Sequence, residues 1–157
     1  MKLTAVLSFL PCAMSSYIAG VANHHVFFGS GSDQPEYLTN MNLQMYENLT
    51  AVAGKQGAQV LVFPEFGLEP IHDAARTDLY AYAETVPMVS DTLVIPCEDP
   101  DTFADRPILF RMSCAARRES VLVLVNMIDS QPCDRSADPN CPDDDRYQVM
   151  WRCSTCV

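Results

Sequence analysis

Positive charge is scarce in this sequence. Ten Lys and Arg residues stand against twenty Asp and Glu, a formal net charge of −10 over 157 residues and a pI near 4.5. A phosphate backbone would be repelled over most of such a surface, which argues against nucleic acid as a partner. The same sign disfavours an anionic membrane surface. Lysine is rarest, with Lys2 and Lys55 alone. Long apolar runs are also missing: none approaches the ~20 residues that a bilayer-spanning helix needs. Metal-ligand spacing is absent too. His24, His25 and His72 form no pattern, and the adjacent His24 and His25 would face opposite sides of a strand. Asp143-Asp144-Asp145 lacks the glycine and distal glutamate of an EF-hand loop and reads as a solvated acidic turn. Neither a metal nor another cofactor is expected. No internal repeat or interdomain linker is visible.

The composition that is there is globular. The chain is 48% hydrophobic and 19% charged, too apolar for disorder and long enough for one domain. Lys2, the mostly apolar run Leu3–Leu10 and the small residues of Ala13-Met14-Ser15 read as a secretory signal over residues 1–16. A buried first strand is the alternative. Loss of the signal would remove Cys12 and leave Cys97, Cys114, Cys133, Cys141, Cys153 and Cys156, an even set that favours disulfides in a secreted, extracellular chain. Cys133 and Cys141 bracket a polar stretch rich in Asp, Pro and Ser that has no core of its own, so a disulfide between them is expected. Asn48-Leu49-Thr50 is a glycosylation sequon, usable only in the secretory pathway.

Strands and helices alternate along the chain. Tyr17–Val21 reads as a strand, and Gly29-Ser30-Gly31-Ser32-Asp33 breaks it. Pro35 suits a helix first turn, and Leu38, Met41, Met45, Leu49 and Val52 follow at spacings of three and four, one apolar stripe to about Gly54 or Gly57. Asn48 lies on the flank of that stripe. Val60–Phe63 and Val121–Val125 are continuous apolar runs, the mark of strands buried on both faces. Residues 72–84 suggest a short helix and 86–104 an irregular connection. Pro107 opens a helix to about Arg118 with Leu109, Met112 and Ala116 inward. From Ser130 the chain is polar and proline-rich. Such alternation predicts an α/β fold with a mostly parallel sheet.

Glu65 is the most informative residue. It follows the carboxyl end of a buried strand, where open α/β sheets place their sites. Pro64 restricts the backbone before it and Gly67 permits a tight turn after it. Flanking Phe63 and Phe66 would partly desolvate the carboxylate and suit it to proton transfer. A solvated loop glutamate is the bland alternative.

The segment Gln56-Gly57-Ala58-Gln59-Val60-Leu61-Val62-Phe63-Pro64-Glu65-Phe66-Gly67 resembles the first motif of the nitrilase superfamily, the carbon–nitrogen hydrolases. Asn42-Leu43 through Tyr46-Glu47, Pro96-Cys97, Ser113-Cys114-Ala115-Ala116 and Val123-Leu124-Val125-Asn126 fall in the order found in its biotinidase/vanin branch. Pro132-Cys133, Asn140-Cys141-Pro142 and Asp145-Arg146-Tyr147-Gln148 resemble that branch's cysteine-clipped loop. The resemblance covers about Tyr17 to Gln148 and implies the amino-terminal part of an αββα sandwich, incomplete in this chain. It also implies hydrolysis of a linear amide through a thioester: a glutamate takes the thiol proton, a lysine stabilises the oxyanion and a cysteine attacks. A thiol of pKa ~8.5 needs such a base, and the developing negative charge needs a cation or donor. Only Glu65 matches. The expected lysine and nucleophilic cysteine have no counterpart, and residues 149–157 read as a divergent tail. Cys153-Ser154-Thr155-Cys156 could be a redox pair or half a zinc site, but no helix follows it and two further ligands are wanting. The expectations are therefore an amide-hydrolase part with its base, taking a small-molecule amide substrate once completed and inactive alone, or a secreted binding or assembly protein that keeps part of the fold. Exposed strands would favour self-association.

Overall fold

The computed structural model describes residues 16–28, 35–69, 76–88, 93–142 and 146–156, with the backbone alone for Arg76, Thr77 and 146–156. The signal segment up to residue 15, the Gly29–Asp33 breaker, His72 and the Asp143–Asp145 run lie outside the described residues.

Three strands and two helices alternate as expected. Strand β1 spans Ala19–Val21, helix α1 Pro35–Lys55, β2 Val60–Val62, helix α2 Pro107–Glu119 and β3 Leu122–Pro132. β1 and β2 pair in parallel with Gly20 opposite Leu61, and β2 and β3 pair in parallel with Leu61 opposite Val123. The expected short helix is a 3₁₀ helix over Arg76–Tyr82.

The sheet then departs from the sequence reading. Past Val125, β3 continues through Asn126, Asp129, Ser130 and Gln131, polar residues that the apolar pattern could not assign to a strand. Their partners explain it. Asp129 Oδ1 accepts from Val86 N at 3.0 Å and Gln131 Nε2 at 2.7 Å, and the Ser130 amide donates to the Glu84 carbonyl at 3.1 Å. The chain returns as β4, Arg146–Cys156, antiparallel to β3 with an irregularity between Met127 and Ile128. Tyr147, Val149, Trp151 and Thr155 supply strand-forming residues there. The segment that includes the expected divergent tail is thus the outer strand of a mixed sheet ordered β1-β2-β3-β4.

One face of the sheet carries the core. Leu61, Val123, Val125 and Met127 pack with Leu43 and Tyr46 of α1 and with Ile108, Leu109, Met112 and Ala116 of α2. The alternate residues Val60, Val62, Leu122 and Leu124 are only half-buried, as the period of two requires for the other face. The described residues therefore form one helix layer on one sheet.

In α2 the inward residues are those expected. In α1 they are so only in part: Leu38 is buried and Leu49 packs against the core, but Asn42, Leu43, Tyr46, Thr50 and Ala53 also turn inward, whereas Met45 and Val52 are exposed. The stripe is rotated because polar side chains on α1 find partners inside. Thr50 Oγ1, for example, donates back to the Tyr46 carbonyl at 2.8 Å. Gly54 lets the helices meet, since a Cβ there would stand 2.9 Å from Glu119 Cβ.

Candidate active site

β2 delivers the chain into a constrained turn. Phe63 dives into the core, its ring stacked on Tyr46 with centroids 3.8 Å apart. Pro64 and Glu65 follow, and Phe66 adopts a left-handed backbone with φ 55°. For a bulky residue that conformation is rare and costs on the order of 1–3 kcal/mol, so it persists only where its surroundings dictate it. Gly67 comes next, and a Cβ there would lie 2.1 Å from Tyr46 Oη and 3.0 Å from His24 Cε1. Only glycine fits.

Side chains from three elements hold this turn. The Phe66 amide points at Asn126 Oδ1 of β3 across a long 3.5 Å. His24, in the loop after β1, donates from Nε2 to the Gly67 carbonyl at 3.1 Å, with its ring edge-on to Tyr46. Burial lowers the His24 pKa, the Gly67 bond opposes this, and His25 adds to the lowering. Asn42 of α1 accepts from the Phe27 amide at 2.7 Å and donates to the carbonyls of Phe27 and Leu68 at 3.0 and 3.1 Å.

Two carboxylates lie buried close by. Glu69 is 1% exposed and accepts from the Ile128 amide at 3.4 Å. Burial pushes its pKa up to about 7, against the pull of backbone hydrogen bonds and with a small further push from Glu84. The Tyr46 phenol is raised as well, by burial first and then by Glu69. Glu84 caps α2: its two oxygens accept from the Ile108 and Leu109 amides at 2.6 and 3.0 Å, which satisfies N–H donors left orphaned at a helix start. Burial raises Glu84 to about 7 as well, opposed by those amides and by Arg106.

Glu65 itself is exposed, with Phe63 turned away into the core. The expected desolvation by its aromatic neighbours is therefore not present among the described residues. Asn48 is exposed on α1. Cys133 and Cys141 are joined in a disulfide with Cα atoms 5.8 Å apart. A second disulfide, Cys97–Cys114, ties the segment before α2 to the helix itself. Sequence reasoning did not pair those two, because both stand in unremarkable local surroundings and only the tertiary fold brings them together. The roles of His24, Asn42, Tyr46 and Glu69 were missed likewise. An interior Asn at position 42 on a helix was the one available hint. Cys153-Ser154-Thr155-Cys156 lies within β4, not at a helix start as a redox pair requires. Among the described residues no group of His, Cys, Asp or Glu could hold a metal ion, and no helix is long and apolar enough to cross a membrane. A cavity of about 740 Å³ lies between the starts of α1 and α2 and is lined by Tyr37, Tyr82, Glu84 and Arg111 among others. Glu65 takes no part in it.

The described residues form an α/β arrangement, with a carboxylate in a braced turn past the middle of three parallel strands and helices on one face; open α/β sheets in general bind ligands at the carboxyl ends of their strands. No family model matches the chain. Curated relatives do. It is 39% identical to a biotinidase of Takifugu rubripes over 141 residues, 85% of this chain and 28% of that protein. It is 34% identical to a biotinidase of Bos taurus over 144 residues, 88% of this chain and 27% of the relative. A pantetheinase of Sus scrofa is 35% identical over 144 residues, 87% of this chain and 27% of the relative. The chain belongs to the biotinidase/vanin branch of the nitrilase superfamily, with the carbon–nitrogen hydrolase fold that this implies. It spans a little over a quarter of the length of the curated relatives it matches.

Proposed function

We propose that these residues are the base-bearing part of an amide hydrolase acting on a linear, non-peptide carbon–nitrogen bond, and that Glu65 is its general base. The observation that carries this is the Glu65 turn: an acid at the carboxyl end of β2, followed by a left-handed Phe66 and a glycine that packing makes obligatory. An exposed carboxylate in a held turn is open to a thiol that approaches from elsewhere. Relatives named for biotinamide and pantetheine chemistry point to substrates of that kind, with a small acyl group joined to an amine.

The base is one of three parts. Lys55 ends α1; Cys97, Cys114, Cys133 and Cys141 are consumed in disulfides, and Cys12, Cys153 and Cys156 do not match the sequence context of the family's nucleophile. These 157 residues alone are accordingly expected to turn over nothing. The test is an amidase assay on purified chain and its Glu65→Gln variant, with biotinyl and pantothenyl amides. Equal background from both is the expected result. Turnover that Glu65→Gln abolishes would reveal a nucleophile within these residues and overturn the division of parts.

The same reading includes secretion, with signal removal near Ser15 or Ser16 and glycan at Asn48. Two disulfides favour an oxidising compartment. Intact mass from a eukaryotic secretory host decides it: a chain that keeps Met1 and stays in the cytosol contradicts it. Self-association also belongs here, because β1 leaves one edge unpaired among the described residues and exposes Tyr17, Ile18 and Val21 beside it. Size-exclusion chromatography across a concentration series reads it, and a monomer throughout would contradict it.

A further inference from the structure

We propose that Asn42 is a positioning residue for the Glu65 carboxylate, a role that rests on Glu65 being the base. Asn42 sits mid-way along α1 and is 1% exposed. A helix interior does not call for asparagine, and a core-facing position would gain more from an apolar side chain. What Asn42 does is use its whole amide. Its oxygen takes the Phe27 amide, and its two N–H groups reach carbonyls in two separate loops, Phe27 after β1 and Leu68 after β2. Leu68 lies three residues beyond Glu65. Phe27 lies three residues beyond His24, whose ring holds the Gly67 carbonyl.

The rigid helix therefore reaches the turn by two routes. One is direct, through the Leu68 carbonyl. The other passes through the loop that presents His24. Of the three side chains that brace the turn, Asn126 makes a long contact and His24 belongs to a loop that Asn42 itself pins. Tyr46 touches both by ring contact, and among the described residues Asn42 is the α1 side chain that hydrogen-bonds to both. The left-handed Phe66 backbone between Glu65 and Gly67 relaxes when its surroundings no longer dictate it. Releasing Asn42 thus lets the carboxylate swing while the apolar core stays packed.

The experiment uses the chain itself, labelled with carboxyl-¹³C glutamate, with the Glu65 resonance assigned through Glu65→Gln. Amide exchange is read at Phe66, Gly67 and Leu68 and, for comparison, at Val123 and Val125 in the central strand. Asn42→Ala removes all three hydrogen bonds. Asn42→Ser keeps one donor and is the milder variant should alanine prevent folding. Leu43→Ala, the next residue on the same helix, opens a larger cavity in the same core without removing a hydrogen bond to either loop. The expected result is a displaced or broadened Glu65 resonance and at least about tenfold faster exchange at Phe66–Leu68 in the Asn42 variants, with Val123 and Val125 still protected. Leu43→Ala should speed core and turn amides together and leave the Glu65 resonance in place. An unmoved Glu65 resonance in a folded Asn42 variant overturns the proposal, as does a pattern that matches Leu43→Ala. Because the readout is geometric, it separates the two readings: a Glu65 that responds to Asn42 but is dispensable for hydrolysis would sink the proposed function and leave the positioning standing.

Discussion

The helix-covered face of the sheet and the turn beyond β2 are held by different forces. On the covered face, Leu61, Val123 and Val125 meet Ile108, Leu109 and Met112, and nothing but apolar contact is needed. At the turn, an amide, an imidazole and a second amide grip backbone carbonyls and an N–H around a conformation that Phe66 would not adopt alone. Apolar packing tolerates substitution in proportion to volume lost. The turn depends on single atoms in place, and one added methyl or one lost hydrogen bond should register there.

The largest effect is expected where apolar volume is removed. Met112→Ala, at a fully buried site, should cost about 2–5 kcal/mol of unfolding free energy by chemical denaturation while the Glu65 turn keeps its geometry. Gly67→Ala should cost somewhat less, about 1–3 kcal/mol, because its Cβ must displace Tyr46 Oη. The sharper form of this prediction is its reversal. Tyr46 Oη has no hydrogen-bond partner among the described residues, so Tyr46→Phe alone should be close to neutral. In Gly67→Ala it should restore at least half of the loss, and a double-mutant cycle without such coupling would show that the clash lies elsewhere.

A pH effect of comparable size follows from Glu69. Its carboxyl titrates near 7 when folded against an ordinary 4.5, so the folded state binds the extra proton. Its contribution is fully present below about pH 4.5 and is lost as pH rises through 7, on the order of 3 kcal/mol in all. Glu69→Gln should flatten the stability profile over that window and be more stable than the parent at pH 8. A profile identical to the parent's would contradict the assignment. His24 acts with the opposite sign. Its lowered value means stability that is present above about 6.5 and declines as pH falls below it.

The smallest expected difference is between the two disulfides. Cys97–Cys114 closes a separation of 17 residues and Cys133–Cys141 one of 8. In the chain-entropy account they contribute roughly 3 and 2.5 kcal/mol. Paired serine variants measured by denaturation should rank in that order. The reverse order would mean that the loop over 133–141 matters beyond its length.

The same division decides what could be read from the sequence. Val60–Phe63, Val121–Val125 and the Leu109-Met112-Ala116 face were legible because burial by apolar contact writes a period into the chain. The turn that carries Glu65 was legible from Pro64, Gly67 and the strand before them. Asn42, His24 and Glu69 were not, because each acts on a carbonyl or amide tens of residues away, and no local pattern records a partner at that distance. The second half of β3 was hidden for the same reason. Asp129 and Ser130 look like loop residues until Val86 and Glu84 are placed beside them. The α1 stripe went wrong where polar Asn42 and Thr50 turned inward and Met45 and Val52 outward. Met-rich spacing resembled a core face, but hydrogen-bonded Asn42 and Thr50 took interior positions beside Leu43 and Tyr46.

The central claim, that Glu65 is the base of an amide hydrolase, is tested most directly by grafting. Residues 17–148 would replace the matching stretch of the Takifugu rubripes biotinidase, and hydrolysis of a biotinyl amide would be followed with Glu65 intact and as Glu65→Gln. The account predicts a folded graft that hydrolyses the amide and loses at least about 10²–10³ in rate when Glu65 becomes Gln, as expected for loss of a proton acceptor in acyl transfer. A folded graft whose rate is the same with Gln at that position would contradict it.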